Sequence, residues 1–396
     1  MIMANYTPMV VRIQSLIEPR SEIHITYPLP EIIFIAYISI LSGHTKWKSM
    51  EWFAKYNQSW FRQFFPYTYG FPSHDTIATV FKLIDPEAFS QLFVEWVRDT
   101  VAEMNALKMG PHPEKNDNVI AIDGKALRGS RPSKGKKLVH IVSAYSSELK
   151  LILGFTPVDM KSNEITAIPD VIDTLFVEGA LITSDAMGCQ KTICKKIIEK
   201  KADYLLCAKE NQPTLSSNIE ACFTQYLENH QKDPKPEDNN PAFAETIEKN
   251  KGRQEHRRCW VFNNVADIDP KQEWPGLQQF SVIQRDRLIG KKQTTELHFY
   301  IESREMTAAS VLSAARNHWS TENGQHLSLD VSFREDASKI HERTAAKNIA
   351  TVRRWCFNAH KKSCRFEKES MASRIELAGL DADYRTELVL ETLRPD

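Results

Sequence analysis

At Asn118 the apolar pattern of this 396-residue chain changes period, and that change constrains the fold more than any other feature. Upstream, from Pro28 to about Met109, apolar residues recur at three- and four-residue spacing. EIIFIAYISILSG, WKSMEWFAKYNQSWFRQFF, FPSHDTIATVFKLI and PEAFSQLFVEWVRDTVAEM each predict a helix. Gly43 ends the first and Ser73 is placed to cap the third. The polar break GPHPEKND (110–117) then marks a boundary. Beyond it, NVIAID, KLVHIVSAY, KLILGFTPV, ALITSD and DYLLCAK read as strands. ITAIPDVIDTL, kinked or restarted at Pro169, CQKTICKKIIEK and TLSSNIEACFTQYLEN read as helices set among the later strands. The order is three strands, helix, strand, helix, strand, helix. It implies an α/β fold, a mixed sheet flanked by helices, with the second and third strands an antiparallel pair.

The remaining divisions follow from composition. Residues 1–27 form an N-terminal extension, 28–115 an all-helical N-terminal domain that binds DNA or a partner, 116–365 the α/β domain, and 366–396 a C-terminal tail. A solvated linker, HQKDPKPEDNNP, leads into RRCWVFNNV, QQFSVIQRDRL and TTELHFYIES, a β-rich insertion at about 245–303. Helical signal resumes at Thr307 and runs through Glu322 to about His360. With 51 basic and 51 acidic residues the chain has no global charge to attract nucleic acid, so any such affinity must be local. Seven scattered cysteines, without a CxxC pair or zinc-ligand spacing, suit a reducing compartment. The start MIMANYTPMVVRIQ lacks the order of a signal peptide, and Ile32–Leu41 is too short an apolar run to span a bilayer. A cytoplasmic location is therefore expected, with no membrane partner.

Three acids stand out by context. Asp123 ends NVIAID and Asp185 ends ALITSD, each directly after a strand-like run, at the end of a strand where ligands approach an open α/β sheet. Each alone reads better as a turn or cap aspartate. Glu322 lies in HWSTENGQHLSLDVSFRED, with His326 and Asp330 at +4 and +8 on one helical face and Asn323 at its edge. Alone, that face reads as solvated surface. The first and fourth strands are neighbours in one arrangement the order permits, and the two aspartates then lie close together. Carboxylates from separate elements meeting at one point are what a two-magnesium phosphoryl-transfer site requires, because hard cations prefer carboxylate oxygen. Competing chemistries lack their motifs: there is no GxSxG elbow and no GxxxxGK[ST] loop, and HERTA has Ala345 where a zinc protease needs its second histidine.

Basic residues cluster near these acids. GKALRGSRPSKGKK carries Lys125, Arg128, Arg131, Lys134, Lys136 and Lys137; KENQPT carries Lys209, Asn211 and Gln212. The insertion adds Lys251, Arg253, Arg257 and Arg258, and the last helical run adds Arg343, Lys347, Arg353 and Arg354. Any one cluster reads as solvated surface, but together they offer phosphate contacts of the kind that give salt-dependent DNA affinity. Asn323 and His326 are further candidates to orient DNA or a water molecule.

AIDGKALRGS, KSNEITAIPDVIDTL, LITSDAMGCQKTICKKIIEKKADYLLCAKENQPTL and HWSTENGQHLSLDVSFREDASKIHERTAAKNIATVRRWCFN resemble the H-repeat-associated family of bacterial insertion-sequence transposases, a DDE-type group. The helical stretch from PLPEIIFIAYISILSG to IDPEAF is similar to the domain that precedes the family's catalytic core, and the likeness covers roughly residues 20–365. The resemblance implies a ribonuclease-H-like core, with Asp123, Asp185 and Glu322 as the catalytic and metal-binding triad. It also implies two Mg2+ ions, replaceable by Mn2+, and a β-rich insertion before the third acid. The activity implied is cleavage of double-stranded DNA at the terminal inverted repeats of an element, then strand transfer into target DNA. A homodimer on paired ends fits that task. A repurposed DNA-binding descendant and a structure-selective nuclease remain the alternative readings.

Overall fold

The computed structural model describes residues 8–107, 118–130, 138–158, 164–230, 241–250 and 252–390, and in it the change of period at 118 divides a helical lobe from a sheet. The lobe begins with α1 (Pro8–Ser15), α2 (Leu29–Leu41), α3 (Trp47–Tyr56), the single turn α4 (Gln58–Phe61), α5 (His74–Leu83) and α6 (Pro86–Leu107). Ser73 caps α5 as expected, its hydroxyl accepting the Thr76 amide at 3.3 Å. Gly43, at φ +84°, follows α2 in the left-handed conformation that ends helices.

The α/β part follows the expected order: β1 (Val119–Ala126), β2 (His140–Ser146), β3 (Leu151–Val158), α7 (Glu164–Thr174), β4 (Leu181–Ser184), α8 (Lys191–Glu199), β5 (Asp203–Ala208) and α9 (Pro213–Asn229). Pro169 lies inside α7 rather than ending it. Next come β6 (Ala242–Asn250), β7 (Arg253–Phe262), β8 (Gln279–Ile289) and β9 (Lys292–Glu302), then α10 (Ala308–Ser320). Among the described residues the strands form one nine-stranded sheet in the order β3-β2-β1-β4-β5-β9-β8-β7-β6. The β1–β4 and β4–β5 pairs are parallel and every other pair is antiparallel. The insertion is therefore no separate block. β9 pairs with β5 and carries the central sheet outward.

Several expectations change here. β6 was not foreseen, because AFAETIEKN has too few apolar residues to announce a strand; it exists by pairing along its whole length with β7. The helical run expected from Thr307 to His360 is broken. After α10 come two π-helical segments, Thr321–His326 and Ser328–Ser332, then a non-helical stretch with Arg334 at φ 52°, before α11 (Arg343–Lys362). The stretch read as an extension contains α1, whose Ile13 is fully buried. The stretch read as a tail contains α12 (Met371–Leu380) and α13 (Ala382–Leu390). Arg385 of α13 donates to the Ala378 carbonyl at 2.9 Å and lies 4.8 Å over Trp60, so the C-terminal pair closes onto the N-terminal helices. α11 packs against α2, α5 and α6, which explains why α2 is buried on all sides. The helical lobe and the sheet share one core as a result.

Strand alternation sorts the sheet into two faces. Ile120, Ile122, Ile182 and Leu206 enter the large core, while Val119, Leu181, Leu205, Cys259 and Ile283 pack beneath Val311 and Leu312 of α10. Asp123, Asp185 and Lys209 continue the second series, by steps of two, past the edge of that smaller core. No helix among the described residues is long and apolar enough to cross a membrane.

Candidate active site and nucleic-acid interface

The parallel register of β1 and β4 pairs Ile122 with Ser184, so the next residue on each strand is an acid, Asp123 and Asp185. Adjacent strands lie about 4.8 Å apart. The two aspartates line one pocket together with Lys209, His298, His318 and Trp319. Each carboxylate is anchored by one oxygen. Asp123 Oδ1 accepts the Gly124 amide at 2.8 Å, and Asp185 Oδ1 accepts the Met187 amide at 3.1 Å, capping the short turn Ala186–Gly188. Gly188 is required in that turn, since a Cβ there would stand 2.2 Å from Ser184 Oγ.

Glu322 belongs to the π-helical segment that follows α10 and packs against β1. The side chains of Glu322 and Asn323 lie outside the described part of the structure. Their neighbours locate the segment. A Cβ on Gly324 would sit 3.5 Å from the Tyr145 hydroxyl on β2, and His326 Nδ1 lies 3.6 Å from Asp123 Oδ2. A π-helix closes i→i+5 hydrogen bonds and is seen most often as a local bulge at functional sites. Burial, helped by Lys125 and Arg354, lowers the His326 pKa to about 4, so its ring is neutral at pH 7.

The other expected contacts divide sharply. Lys209, just beyond β5, lines the acid pocket. Asn211 and Gln212 instead reach the Asp185 turn: Asn211 donates to the Ala186 carbonyl at 2.5 Å and Gln212 to the Cys189 carbonyl at 2.9 Å. Arg128 is 79% exposed in its side chain and 3.7 Å from Asp336. Arg131 and the lysines at 134, 136 and 137 lie outside the described residues, as does Lys251. Lys125, expected to meet phosphate, is 8% exposed with its ammonium among carboxylates. Arg353 and Arg354 are 2% and 0% exposed, so neither offers a surface charge. Each points inward because α11 is covered on nearly every side. Lys347 lies 3.9 Å from Glu87 of α6, and Arg343 opens α11, half-buried.

Four pocket residues were not singled out beforehand. His318 shares a 3.1 Å hydrogen bond with Thr183 of β4, and burial lowers its pKa to about 4. It stands four residues before Glu322, a helical spacing that could have flagged it. Trp319 remains 42% exposed. His298 and Tyr300 come from β9, and no local pattern links that strand to the acids.

From this pocket a cleft continues along the insertion, lined by Arg257, Arg285, Arg316, His298 and Trp319. Arg257 and Arg285 are cross-strand neighbours, and the Arg285 guanidinium lies 5.9 Å over the Trp319 ring. One step out, buried Glu255 pairs with Arg253 and Arg287, each at 3.1 Å, and with Arg257. Arg257 also meets Glu248 at 3.2 Å, Arg285 meets Glu296 and Arg316 meets Glu248, so five arginines around the cleft share three carboxylates and a local excess of positive charge remains.

Hard oxygen ligands on neighbouring strand ends fit a magnesium-sized cation. Among the described residues no group of three or more His, Cys, Asp or Glu side chains forms a metal set, and Glu322, the third acid of the expected triad, is outside that count.

Comparison with known proteins adds the ancestry. A family model described as Transposase DDE domain matches residues 114–359, and one described as DDE_Tnp_1-associated matches residues 10–97. The H repeat-associated putative transposase YhhI of Escherichia coli (strain K12) is 34% identical over 369 residues, 91% of this chain and 92% of that protein. The putative transposase YncI of Escherichia coli O157:H7 is 34% identical over 376 residues, 93% of this chain and 91% of that one. Among solved structures, a piggyBac transposase synaptic complex with hairpin DNA has a TM-score of 0.40 at 11% identity over 97% of this chain and 82% of that one, a likeness too low to build on. Matched over more than half its length by one family model, and alike nearly end to end to these relatives, the chain belongs to the Transposase DDE domain family.

Proposed function

We propose that this chain is a DNA transposase in which Asp123, Asp185 and Glu322 cleave DNA at the ends of an insertion element and join the freed strand to a target. The observation that carries the reading is the Ile122–Ser184 register, with Asp123 and Asp185 side by side in one pocket and the Glu322 segment packed on β1. Divalent magnesium, when held by these carboxylates, supplies activation of the attacking oxygen and neutralisation of the leaving one.

The chain's own residues do the rest. The amides of Gly124 and Met187 each anchor one oxygen of an aspartate at the pocket, and His326 Nδ1 stands 3.6 Å from the other oxygen of Asp123. Neutral His318, held by Thr183, adds no positive charge that would compete with the cations. Lys209 stands at the pocket to meet a phosphate oxygen. Duplex DNA lies along the insertion, with its backbone over Arg257, Arg285 and Arg316. A homodimer on two paired element ends completes the reading.

The test is a nicking and strand-transfer assay on the terminal repeats flanking this chain's own coding region. Asp123→Ala should abolish Mg2+- or Mn2+-dependent cleavage and leave duplex affinity within about twofold, because the cations in the cleft supply most of the binding. Intact cleavage in that variant overturns the assignment. Cleavage without joining in the native protein would make it a nuclease on the same core.

A further inference from the structure

Behind the acid pocket lies a buried set of charges that the reaction does not consume. Lys125 follows Asp123 by two residues on β1 and shares its face. Its ammonium meets Asp330, Glu335 at 3.1 Å and Asp336 at 3.4 Å. Glu335, 1% exposed, also accepts from Arg354 Nη1 of α11 at 3.0 Å. The Arg354 guanidinium in turn lies 5.0 Å over Phe155 of β3. The turn after β1 touches the same region, since a Cβ on Gly129 would stand 2.3 Å from the Ser338 carbonyl oxygen. The set thus ties β1, the segment after Ser332 and α11 to one another.

Its location matters more than its strength. Asp330 lies in the second of the two π-helical segments, Ser328–Ser332, which follows the segment Thr321–His326 that carries Glu322. π-helical geometry is rare and needs help from its surroundings. Buried ion pairs of this kind are poor stabilisers, because desolvation offsets attraction, and well-packed apolar residues often replace them without loss; their best-attested use is fixing register.

We propose that Lys125, Glu335 and Arg354 are positioning residues that clamp the downstream end of the π-helical run to the strand bearing Asp123, and so set where Glu322 stands relative to the two aspartates. This rests on the reading of those acids as the reacting groups. The clamp explains why Lys125 faces inward beside a pocket that would otherwise use a cation at its mouth.

The decisive variant replaces the triad with apolar groups of similar volume: Lys125→Met, Glu335→Leu and Arg354→Met together. If the charges only stabilise the fold, a folded triple variant cleaves like the native protein. If they position Glu322, cleavage turnover falls about 10²-fold with KM for DNA unchanged, the size of loss expected from a misplacement of about 1 Å. Amide exchange in 321–332 should also accelerate, while α10 stays protected. Unchanged exchange in 321–332, or undiminished turnover, overturns the clamp. Asp330→Asn, at a side chain 28% exposed, serves if the triple variant fails to fold, with the same exchange and turnover outcomes expected and the same results overturning it. Absence of cleavage in the native protein would refute the transposase reading instead, and the exchange measurement still decides whether the clamp exists.

Discussion

The two halves of the sheet are built by different rules. The β1-β4-β5 half is parallel, and its central strand β4 is short, four residues that are all buried. Crossovers through α7 and α8 bring successive strands to the same end, so the residues just past β1 and β4 converge automatically. The β9-β8-β7-β6 half is antiparallel, with strands of nine to eleven residues that are buried near the central sheet and more exposed outward, β6 and β9 above all. Hairpins bring side chains together by cross-strand pairing instead, which is how Arg257 meets Arg285 and Glu255 meets Arg287. Parallel topology places a few acids at a point; antiparallel topology spreads cations along a track. Chemistry on the first half and affinity on the second are the expected division of labour.

That division breaks most visibly at Asp185. Asp185→Asn should lower cleavage about 10³-fold, the equivalent of about 4 kcal/mol of lost charge stabilisation, with duplex affinity unchanged. Competitive binding measured beside single-turnover cleavage checks both halves, and a matching loss of affinity would show that the acids and the track are not separable.

The seam between the halves gives the next effect. Glu302 ends β9 beside β5 and is fully buried, so its carboxyl is pushed up to about 8 by burial, against the hydrogen bond from Ser281. The unfolded chain releases this proton near the ordinary value of 4.5. Between those values the folded state holds a proton the unfolded state has lost, so stability is greatest below about pH 4.5 and declines as pH rises through about 8. The decline from this group is on the order of a few kcal/mol. Glu302→Gln removes it; thermal unfolding at pH 5 and pH 8.5 should show a smaller drop in Tm for the variant, and equal drops would sink the assignment.

Arg257→Gln with Arg285→Gln tests the track. Affinity for duplex should fall about tenfold at low salt, and the slope of log affinity against log salt should shrink by about one per lost phosphate contact. Turnover at saturating DNA should hold, and a fall there instead would join the track to the chemistry. The smallest effect belongs to Asn211→Ala, which removes the side-chain donor from the Ala186 carbonyl in the Asp185 turn. It should cost about 1 kcal/mol of stability and a few-fold in cleavage, read by thermal unfolding and single-turnover rates.

The parallel half was legible because its strands are apolar runs with acids at their ends, and neither signal depends on distant partners. The insertion was only partly legible. β7, β8 and β9 carry apolar or aromatic residues near their bases, whereas β6 is polar and becomes a strand only by lying against β7. The cations show the same limit from the other side. Charge counting cannot distinguish Lys209, at the pocket, from Lys125, enclosed by three carboxylates that arrive from more than 200 residues away.

Period, capping and strand order, all local properties of the chain, determined most of the elements from α2 to α9 and placed two carboxylates at strand ends. Which strands became neighbours, which lysines and arginines turned inward, and how the helix around Glu322 loosened into π geometry were decided by tertiary packing. Those outcomes depend on desolvation and on charges brought together from remote segments, and a one-dimensional pattern does not carry either quantity.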